Sequence, residues 1–250
     1  MATAAPTRPR LADRLGTVAL VVALACAAAA LLAGPGYRLG WWPLGPGIQV
    51  MRWAATLALI ASALGLIALA LGLGAGSRRP LWLGLAALVV GLVVAAPPIM
   101  MWRALQQLPH IHDISTDLER PPAFVAVVPL RQGARNSIEP APATAALQRQ
   151  GYPDIGPVIL RLPPDQAYAR AEAAARAMKW EIVEASPQAL RIEATDTTLL
   201  FGFKDDVVIR IAPDAGGSRV DVRSLSRVGG FDFGTNAKRV RAYLARLNAG

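Results

Sequence analysis

The chain has 250 residues, of which 54% are hydrophobic, and its formal net charge is +9. Residues 1–103 contain eight arginines and one acidic residue, a net charge of +7, whereas residues 104–250 contain 18 basic and 16 acidic residues, a net charge of +2. Because the second part has almost no basic excess, its composition argues against a nucleic-acid partner. The single cysteine, Cys26, excludes an intramolecular disulfide and a thiolate metal cluster.

Three apolar segments without a charged side chain occupy the first part of the chain: Leu15–Ala33, Trp53–Leu73 and Leu81–Trp102. A helix needs about 20 apolar residues to cross the roughly 30 Å hydrocarbon core, so each segment predicts a transmembrane helix. The sequence therefore predicts a transmembrane region, residues 1–103, and a soluble domain, residues 104–250. The absence of charge within the segments argues against an ion or proton pathway.

Arginines flank the three segments unevenly. Five lie before the first segment or between the second and third, and three lie between the first and second or after the third: respectively Arg8, Arg10, Arg14, Arg78 and Arg79, and Arg38, Arg52 and Arg103. The positive-inside rule then places the N-terminus in the cytoplasm and, after three crossings, the soluble domain on the opposite side. In a Gram-negative bacterium this predicts an inner-membrane protein with a periplasmic C-terminal domain.

Residues 104–157 are rich in proline and show few periodic runs, with Phe124–Val128 as a short strand and a 129–157 segment whose order the sequence leaves open. The rest of the chain predicts regular elements. They are strands at Val158–Leu162, Trp180–Ala185, Ala189–Ala194, Thr198–Phe203, Asp206–Ala212 and Ser218–Arg227, and helices from Pro163 to Lys179 and from Thr235 to Asn248.

Apolar and polar residues alternate in the last two strands. Val207, Ile209 and Ile211 share one face, and the outward neighbours include Arg210 and Arg223. One buried and one polar face are typical of an antiparallel sheet, and the two helices are sufficient to cover the buried face. The predicted fold is therefore a membrane anchor of three helices plus an α+β domain of order β-α-β-β-β-β-β-α, in either a ferredoxin-like or a helix-grip arrangement.

Four segments of the soluble part carry a resemblance to a known family. They are LPHIHDISTD (108–117), PPAF (121–124), FKDDVVIR (203–210) and RSLSRVGGFDFGTN (223–236). Together they resemble the bacterial membrane-protein family catalogued as domain of unknown function 1499, over about residues 105–248. The resemblance implies a domain that is often attached to membrane spans, and it implies no activity.

The first of these segments contains four residues of metal-ligating type: His110, His112, Asp113 and Asp117. Imidazole and carboxylate groups suit zinc, manganese or iron, although the spacing matches no standard metal motif. The alternative is that the segment docks the end of the third span on the domain, with Asp113 and Asp117 capping turns.

The last segment predicts an anion site at a strand–loop–helix passage. Arginine gives bidentate contacts to anions, and helix N-terminal N–H groups attract negative charge. The candidate ligand-binding residues are Arg223, Ser224, Ser226, Arg227, Asp232 and Asn236. In the alternative interpretation the loop is held by its own ion pairs, with Asp232 accepting from Arg223 or Arg227 and Asn236 capping the helix.

Two further charged clusters favour structural interpretations. Lys204, Asp205 and Asp206 read as a solvated hairpin turn, since neighbours in a strand point in opposite directions and make a poor acid–base pair. Lys238, Arg239, Arg241 and Arg246 read as the solvated basic face of the last helix, with contact to anionic lipid as the alternative.

No motif of a nucleophilic enzyme or nucleotide-binding protein occurs, so the sequence predicts no catalytic residue and no cofactor. The leading hypothesis is a non-enzymatic periplasmic domain, tethered to the lipid bilayer, that binds a small anionic or lipidic ligand or an envelope protein. The alternatives are a metal-dependent envelope enzyme that uses His110, His112 and Asp113, and a structural subunit of a membrane complex.

Overall fold

The computed structural model describes residues 7–249, which divide into two compact units. Of these residues, one unit contains 7–103 together with Leu200–Gly202, and the other contains Ala104–Leu199 and 203–249. Three helices form the first unit, and an α+β domain forms the second. The predicted fold class, a helical membrane anchor plus an α+β domain with an antiparallel sheet, is confirmed.

The helices of the first unit are α1 (Thr7–Arg38), α2 (Leu44–Gly74) and α3 (Arg78–Gln107). All three are long and apolar enough to cross a membrane. Each extends several residues beyond the uncharged segment that predicts it, because arginines and loop-forming residues at the ends are still compatible with helical backbone.

Small residues allow α2 and α3 to approach closely. A Cβ atom on Gly65 of α2 would lie 2.7 Å from the carbonyl oxygen of Gly84 on α3 and 3.0 Å from the Cβ of Ala87. Such a contact distance is too short for carbon and oxygen, so only glycine fits. The two helices therefore pack through their backbones, as small residues permit in membrane helices.

The domain contains one sheet of six antiparallel strands and three α-helices. The elements in chain order are β1 (Asp113–Ser115), α4 (Pro142–Gly151), β2 (Val158–Leu160), α5 (Pro164–Ala177), β3 (Glu181–Ser186), β4 (Arg191–Thr197), β5 (Lys204–Asp214), β6 (Gly217–Ser226) and α6 (Thr235–Ala249), with a short 3₁₀ turn at Val128–Arg131.

Strands β3 to β6 form a meander, and β6 is paired on its other side by two short strands. β1 pairs with the end of β6, where Ile114 lies opposite Ser224, and β2 pairs with its beginning, where Val158 lies opposite Val220. The sequence predicts β2 as a strand but not β1, which is only three residues long, and the pairing of both with β6 is decided by the tertiary structure.

Helices α5 and α6 cover one face of the sheet, as predicted. The core between them includes Ile192 of β4, Ile209 of β5, Val222 of β6 and Tyr243 of α6, all fully buried. Trp180 stacks on Tyr243 with a ring-centroid separation of 5.6 Å. The alternating apolar pattern of β5 and β6 thus identifies the helix-covered face correctly.

Two predicted strands are wrong. Residues 198–203 form the connection between β4 and β5, whose ladder ends at the pair Thr197 and Lys204. Its apolar residues mimic a strand, but Gly202 has a positive φ of 67°, which breaks extended backbone. Residues 124–128 make no strand pairing either and lead into the 3₁₀ turn.

The irregular stretch of residues 104–157 is more structured than its composition indicates. It contains β1, the 3₁₀ turn and α4. Helix α4 lies within the 129–157 segment, whose order the sequence leaves open. Pro142 occupies the first turn of α4, where its missing N–H costs no hydrogen bond. The proline that makes the segment look irregular therefore starts the helix.

Candidate functional site

The second face of the sheet is polar but it does not face solvent. Residues 116–138, here called the strap, lie across it and bury Glu193, Asp206, Asp221 and Arg223 to 2% exposure or less. The prediction that this face points outward is therefore wrong. A charged sequence pattern normally marks a solvated face, and here the charges instead bind the strap.

Arg223 of β6 forms the central contact between sheet and strap. Its Nε and Nη2 atoms donate to the two carboxylate oxygens of Asp113 at 2.9 and 2.8 Å, and Nη2 also donates to the carbonyl of Ile138 at 2.7 Å. The guanidinium lies 5.1 Å from the ring centroid of Phe124, which adds a cation–π contact. All three nitrogen atoms of this guanidinium therefore donate hydrogen bonds within the domain.

Asp206 of β5 binds two arginines from opposite directions. Arg227, which directly follows β6, donates from Nη2 and Nε at 2.7 and 2.9 Å, and Arg131 of the strap donates to the same carboxylate. Asp205 points to the other face of the sheet. The solvated turn predicted at residues 204–206 is therefore wrong, because these residues begin β5 and both carboxylates are buried.

Asp117, near the start of the strap, and Asp221 of β6 are held by a shared arginine. Asp117 accepts from Arg210 at 2.8 Å and Asp221 accepts from Arg210 and Arg219 at 2.9 and 2.8 Å. Burial alone would raise the pKa of Asp117, but hydrogen bonds from the Arg120 N–H and from Arg210 outweigh it, so the pKa lies below its ordinary value. Asp117 is therefore ionised and bound in the folded protein.

Glu193 of β4 holds the strap by its main chain. Its two carboxylate oxygens accept from the N–H groups of Val125 and Val127 at 2.9 and 3.0 Å, and Arg191 lies 2.8 Å away. An irregular segment cannot satisfy its own backbone groups when it is buried. The sheet supplies the missing partners through charged side chains.

On the helix-covered face, Asn236 of α6 joins two serines of β6. It accepts from Ser224 at 2.6 Å and donates to the Ser226 Oγ and to the His112 carbonyl at 2.9 and 3.0 Å. Arg239 donates to Asn236 and, at 2.7 Å, to Asp205. Arg239 is thus buried, which corrects the prediction that it belongs to a solvated basic face.

Asp232 caps α6. Its two carboxylate oxygens accept from the N–H groups of Gly234 and Asn236, both at 2.8 Å. Burial raises the pKa of Asp232, against the lowering effect of these hydrogen bonds. The alternative in which Asp232 pairs with Arg223 or Arg227 and Asn236 caps the helix is therefore wrong, since both arginines lie on the strap-covered face.

The six candidate anion-binding residues thus separate into two groups. Ser224, Ser226 and Asn236 come together beside the Asp232 cap, whereas Arg223 and Arg227 lie across the sheet from them. Each of the six has hydrogen-bond partners within the domain. Their shared role in the structure is to hold α6, β6 and the strap in place.

The four candidate metal ligands do not form one ligand set. His110 packs against Phe231 with ring centroids 4.8 Å apart and a tilt of 36°, and the Nδ1 of His112 lies 3.4 Å from the Gly230 carbonyl oxygen. Asp113 and Asp117 bind arginines instead. Among the described residues, no three histidine, cysteine, aspartate or glutamate side chains are grouped to hold a metal ion.

A groove of about 410 Å³ opens beside β1 and is not filled by the domain's own side chains. Its walls come from β1, from the start of the strap and from the first turns of α4. The lining residues are Asp113, Ser115, Leu118, Glu119, Pro121, Pro140, Ala141, Pro142, Thr144, Ala145, Gln148 and Arg149. This volume lies within the range of small-molecule binding sites.

The polar groups of the groove differ in their availability. Gln148 is buried and engaged with the main chain of Ser115. Arg149 and Glu119 form an ion pair whose side chains are 55% and 78% exposed. Ala141 provides no side-chain cap, so the positive end of the α4 helix dipole lies uncompensated by a capping side chain at this wall. The charged side chains that a ligand can reach are therefore Arg149 and Glu119, at the rim of the groove.

Sequence reasoning missed the groove. Only Asp113 among its lining residues is a candidate from sequence, and it is a candidate for metal binding. The signal that was available is Pro142 followed by an alanine-rich stretch, which is typical of a helix start. Nothing local indicates that Gln148 meets Ser115 of β1 or that Arg149 meets Glu119, since 30 or more residues separate each pair.

The family model described as "Protein of unknown function (DUF1499)" matches residues 113–247. No curated protein and no solved structure matches the chain. The matched region begins with Asp113 and contains the arginines, carboxylates and Asn236 that join the sheet to the strap and to α6. Because the match covers more than half of the sequence, the chain belongs to the DUF1499 family.

Proposed function

We propose that this protein is a non-enzymatic, membrane-tethered binding module that takes a small anionic ligand into the groove beside β1. The observation that carries the proposal is the groove itself, a space of about 410 Å³ next to an uncapped helix N-terminus and the exposed Arg149. The buried charged residues of the family motifs are all engaged in internal contacts. Binding is therefore assigned to the groove rather than to Arg223 and Arg227.

The location of this module follows from the charge distribution around the three helices. The excess of arginine before α1 and between α2 and α3 supports a cytoplasmic N-terminus and a domain on the other side of a bacterial inner membrane. We place the groove in the periplasm on this ground. Its ligands then belong to the envelope.

Fusions of alkaline phosphatase and of green fluorescent protein in a Gram-negative host test this orientation. Phosphatase fused after Gly76 should be inactive and phosphatase fused after Gly250 active, with fluorescence in the opposite pattern. Phosphatase activity at Gly76 together with fluorescence at Gly250 would reverse the topology.

Native mass spectrometry of the full-length protein in mild detergent tests the groove. We expect a small non-covalent mass on the wild-type protein. Ala145→Trp fills the groove and should remove this mass, whereas the matched control Ala173→Trp, on the exposed side of α5, should retain it. If both variants keep the mass, the ligand lies elsewhere.

If the wild-type protein carries no small mass but copurifies with a stoichiometric protein subunit, the binding proposal fails. The structural-subunit hypothesis would then be the correct one.

A further inference from the structure

The outer edge of β1 has a definite hydrogen-bonding pattern. The His112 carbonyl accepts from Ser226, and the Thr116 N–H donates to the Val222 carbonyl, so even-numbered residues turn their main chain toward β6. In an antiparallel ladder the main-chain groups alternate in direction. The N–H and C=O groups of Asp113 and Ser115 therefore point away from the sheet.

At Ser115 these outward groups already have a partner. The Ser115 N–H donates to the side-chain oxygen of Gln148 at 3.0 Å, and the Gln148 amide donates back to the Ser115 carbonyl at 2.7 Å. This reciprocal pair copies one rung of a β-ladder. A side-chain amide therefore stands where the main chain of an added strand would lie.

At Asp113, one rung further, the corresponding main-chain N–H and C=O groups have no hydrogen-bond partner among residues 7–249. Asp113 also lines the groove. An unpaired donor and acceptor on an edge strand favour an extended peptide, because one residue of such a peptide supplies both the complementary acceptor, its C=O, and the complementary donor, its N–H.

Resting on the proposed function, we propose that the ligand of the groove is a short extended peptide that ends in a free carboxylate. One of its residues pairs through its N–H and C=O with the main chain of Asp113, and its carboxylate binds Arg149. The neighbouring Gln148 pair continues the same ladder. The peptide thus enters as a partial additional strand beside β1.

The carboxylate contact depends on the ion pair at the rim. Arg149 holds Glu119 in an exposed pair, which contributes little to stability. A peptide carboxylate replaces Glu119 as the partner of the same guanidinium, and Glu119 returns to solvent. The uncapped N-terminus of α4 favours negative charge at the same wall.

The other walls are consistent with a peptide of small apolar side chains. Leu118, Pro121, Pro140 and Ala145 provide an apolar surface, and proline has no N–H that would compete for the ligand's carbonyl groups. The one buried charged side chain of the lining, Asp113, is already paired with Arg223, so charged side chains on the peptide gain no partner there.

Isothermal titration of the full-length protein in detergent tests the inference with N-acetyl-trialanine as the probe. We expect the free acid to bind at least about tenfold more tightly than its C-terminal amide. N-methylation of the central amide, which removes a ladder donor, should also weaken binding by about tenfold or more.

Arg149→Gln should bind the acid and the amide equally, while the matched control Arg176→Gln should keep the preference, because Arg176 is an exposed arginine paired with Glu172 on α5. Equal binding of acid and amide by the wild-type protein, or an unchanged preference in Arg149→Gln, would overturn the carboxylate contact.

The failures of the two proposals are distinguishable. If no peptide binds while Ala145→Trp still removes the copurified mass, the groove is a binding site for another ligand and only this inference fails. If no peptide binds and Ala145→Trp retains the mass, the groove assignment fails as well.

Discussion

Arg223 and Asp113 are joined by two hydrogen bonds of 2.9 and 2.8 Å although 110 residues separate them in sequence. The pair links β6 to β1 under the strap, and both residues belong to the segments that carry the family resemblance. Asp206 with Arg227 repeats this relationship between two segments, and Asn236 joins Ser224 and Ser226 within the last segment. The family segments therefore meet each other in three dimensions and hold the domain together.

Asp113→Asn should destabilise the domain by about 3–5 kcal/mol, because it leaves the buried guanidinium of Arg223 without its counter-charge. The midpoint of thermal or urea unfolding of the full-length protein measures this. Asp113→Asn combined with Arg223→Gln should recover part of the loss, since no uncompensated charge stays buried.

Glu172→Gln is the control, because it breaks an exposed pair on α5 and should cost less than about 0.5 kcal/mol. A loss of similar size in Asp113→Asn would mean that the Arg223 site is more hydrated than its burial indicates.

Glu193→Gln should loosen the strap selectively. A glutamine offers one acceptor oxygen where the carboxylate offers two, so Val125 or Val127 loses a strong hydrogen-bond acceptor. Hydrogen exchange followed by mass spectrometry should show faster exchange in peptides that cover residues 124–128. Peptides from α5 should exchange at the wild-type rate. Unchanged exchange at 124–128 would show that other contacts hold the strap.

Asp117 should contribute to the acid sensitivity of the domain. Its pKa in the folded state is lowered, so the stabilisation it provides is fully present above its ordinary value of 3.8 and is lost as the pH falls through the lower folded pKa. Asp117→Asn should therefore reduce stability at pH 7 and flatten the pH dependence of unfolding below about pH 4.

Asp214→Asn serves as the control for this titration, because Asp214 is exposed at the β5–β6 turn. It should leave the acid limb of the stability curve unchanged. An acid limb in Asp117→Asn that is as steep as in the wild-type protein would assign the sensitivity to other buried carboxylates.

Gly65→Val should disrupt the packing of α2 on α3. The added side chain would meet the Gly84 carbonyl at 2.7 Å, so the helices must separate. Thermal aggregation of the detergent-solubilised protein should begin at a lower temperature. Gly74→Val is the matched control, because a Cβ at this end of α2 meets nothing within 4 Å. Equal behaviour of the two variants would contradict this packing.

The groove is a site that local sequence patterns do not predict. Arg149 and Gln148 lie in a segment whose prolines hide a short helix, and Ser115 lies in a strand of three residues. Neither element has enough length for a periodic pattern to emerge. Their meeting at the outer edge of β1 depends on long-range pairing, so no local pattern predicts it.

The sequence by itself determines the features that depend on composition and period: the three membrane helices, the α5 and α6 helices, and the face of β5 and β6 that packs on them. Apolar side chains leave water for lipid or for a protein core in any tertiary arrangement of the chain. These features therefore follow from the local pattern of apolar residues. Only the tertiary structure decides which charged residues are exposed. Arg223 and Asp206 are predicted from sequence to face solvent, and they are buried because the strap, which is distant in sequence, covers them and supplies partners.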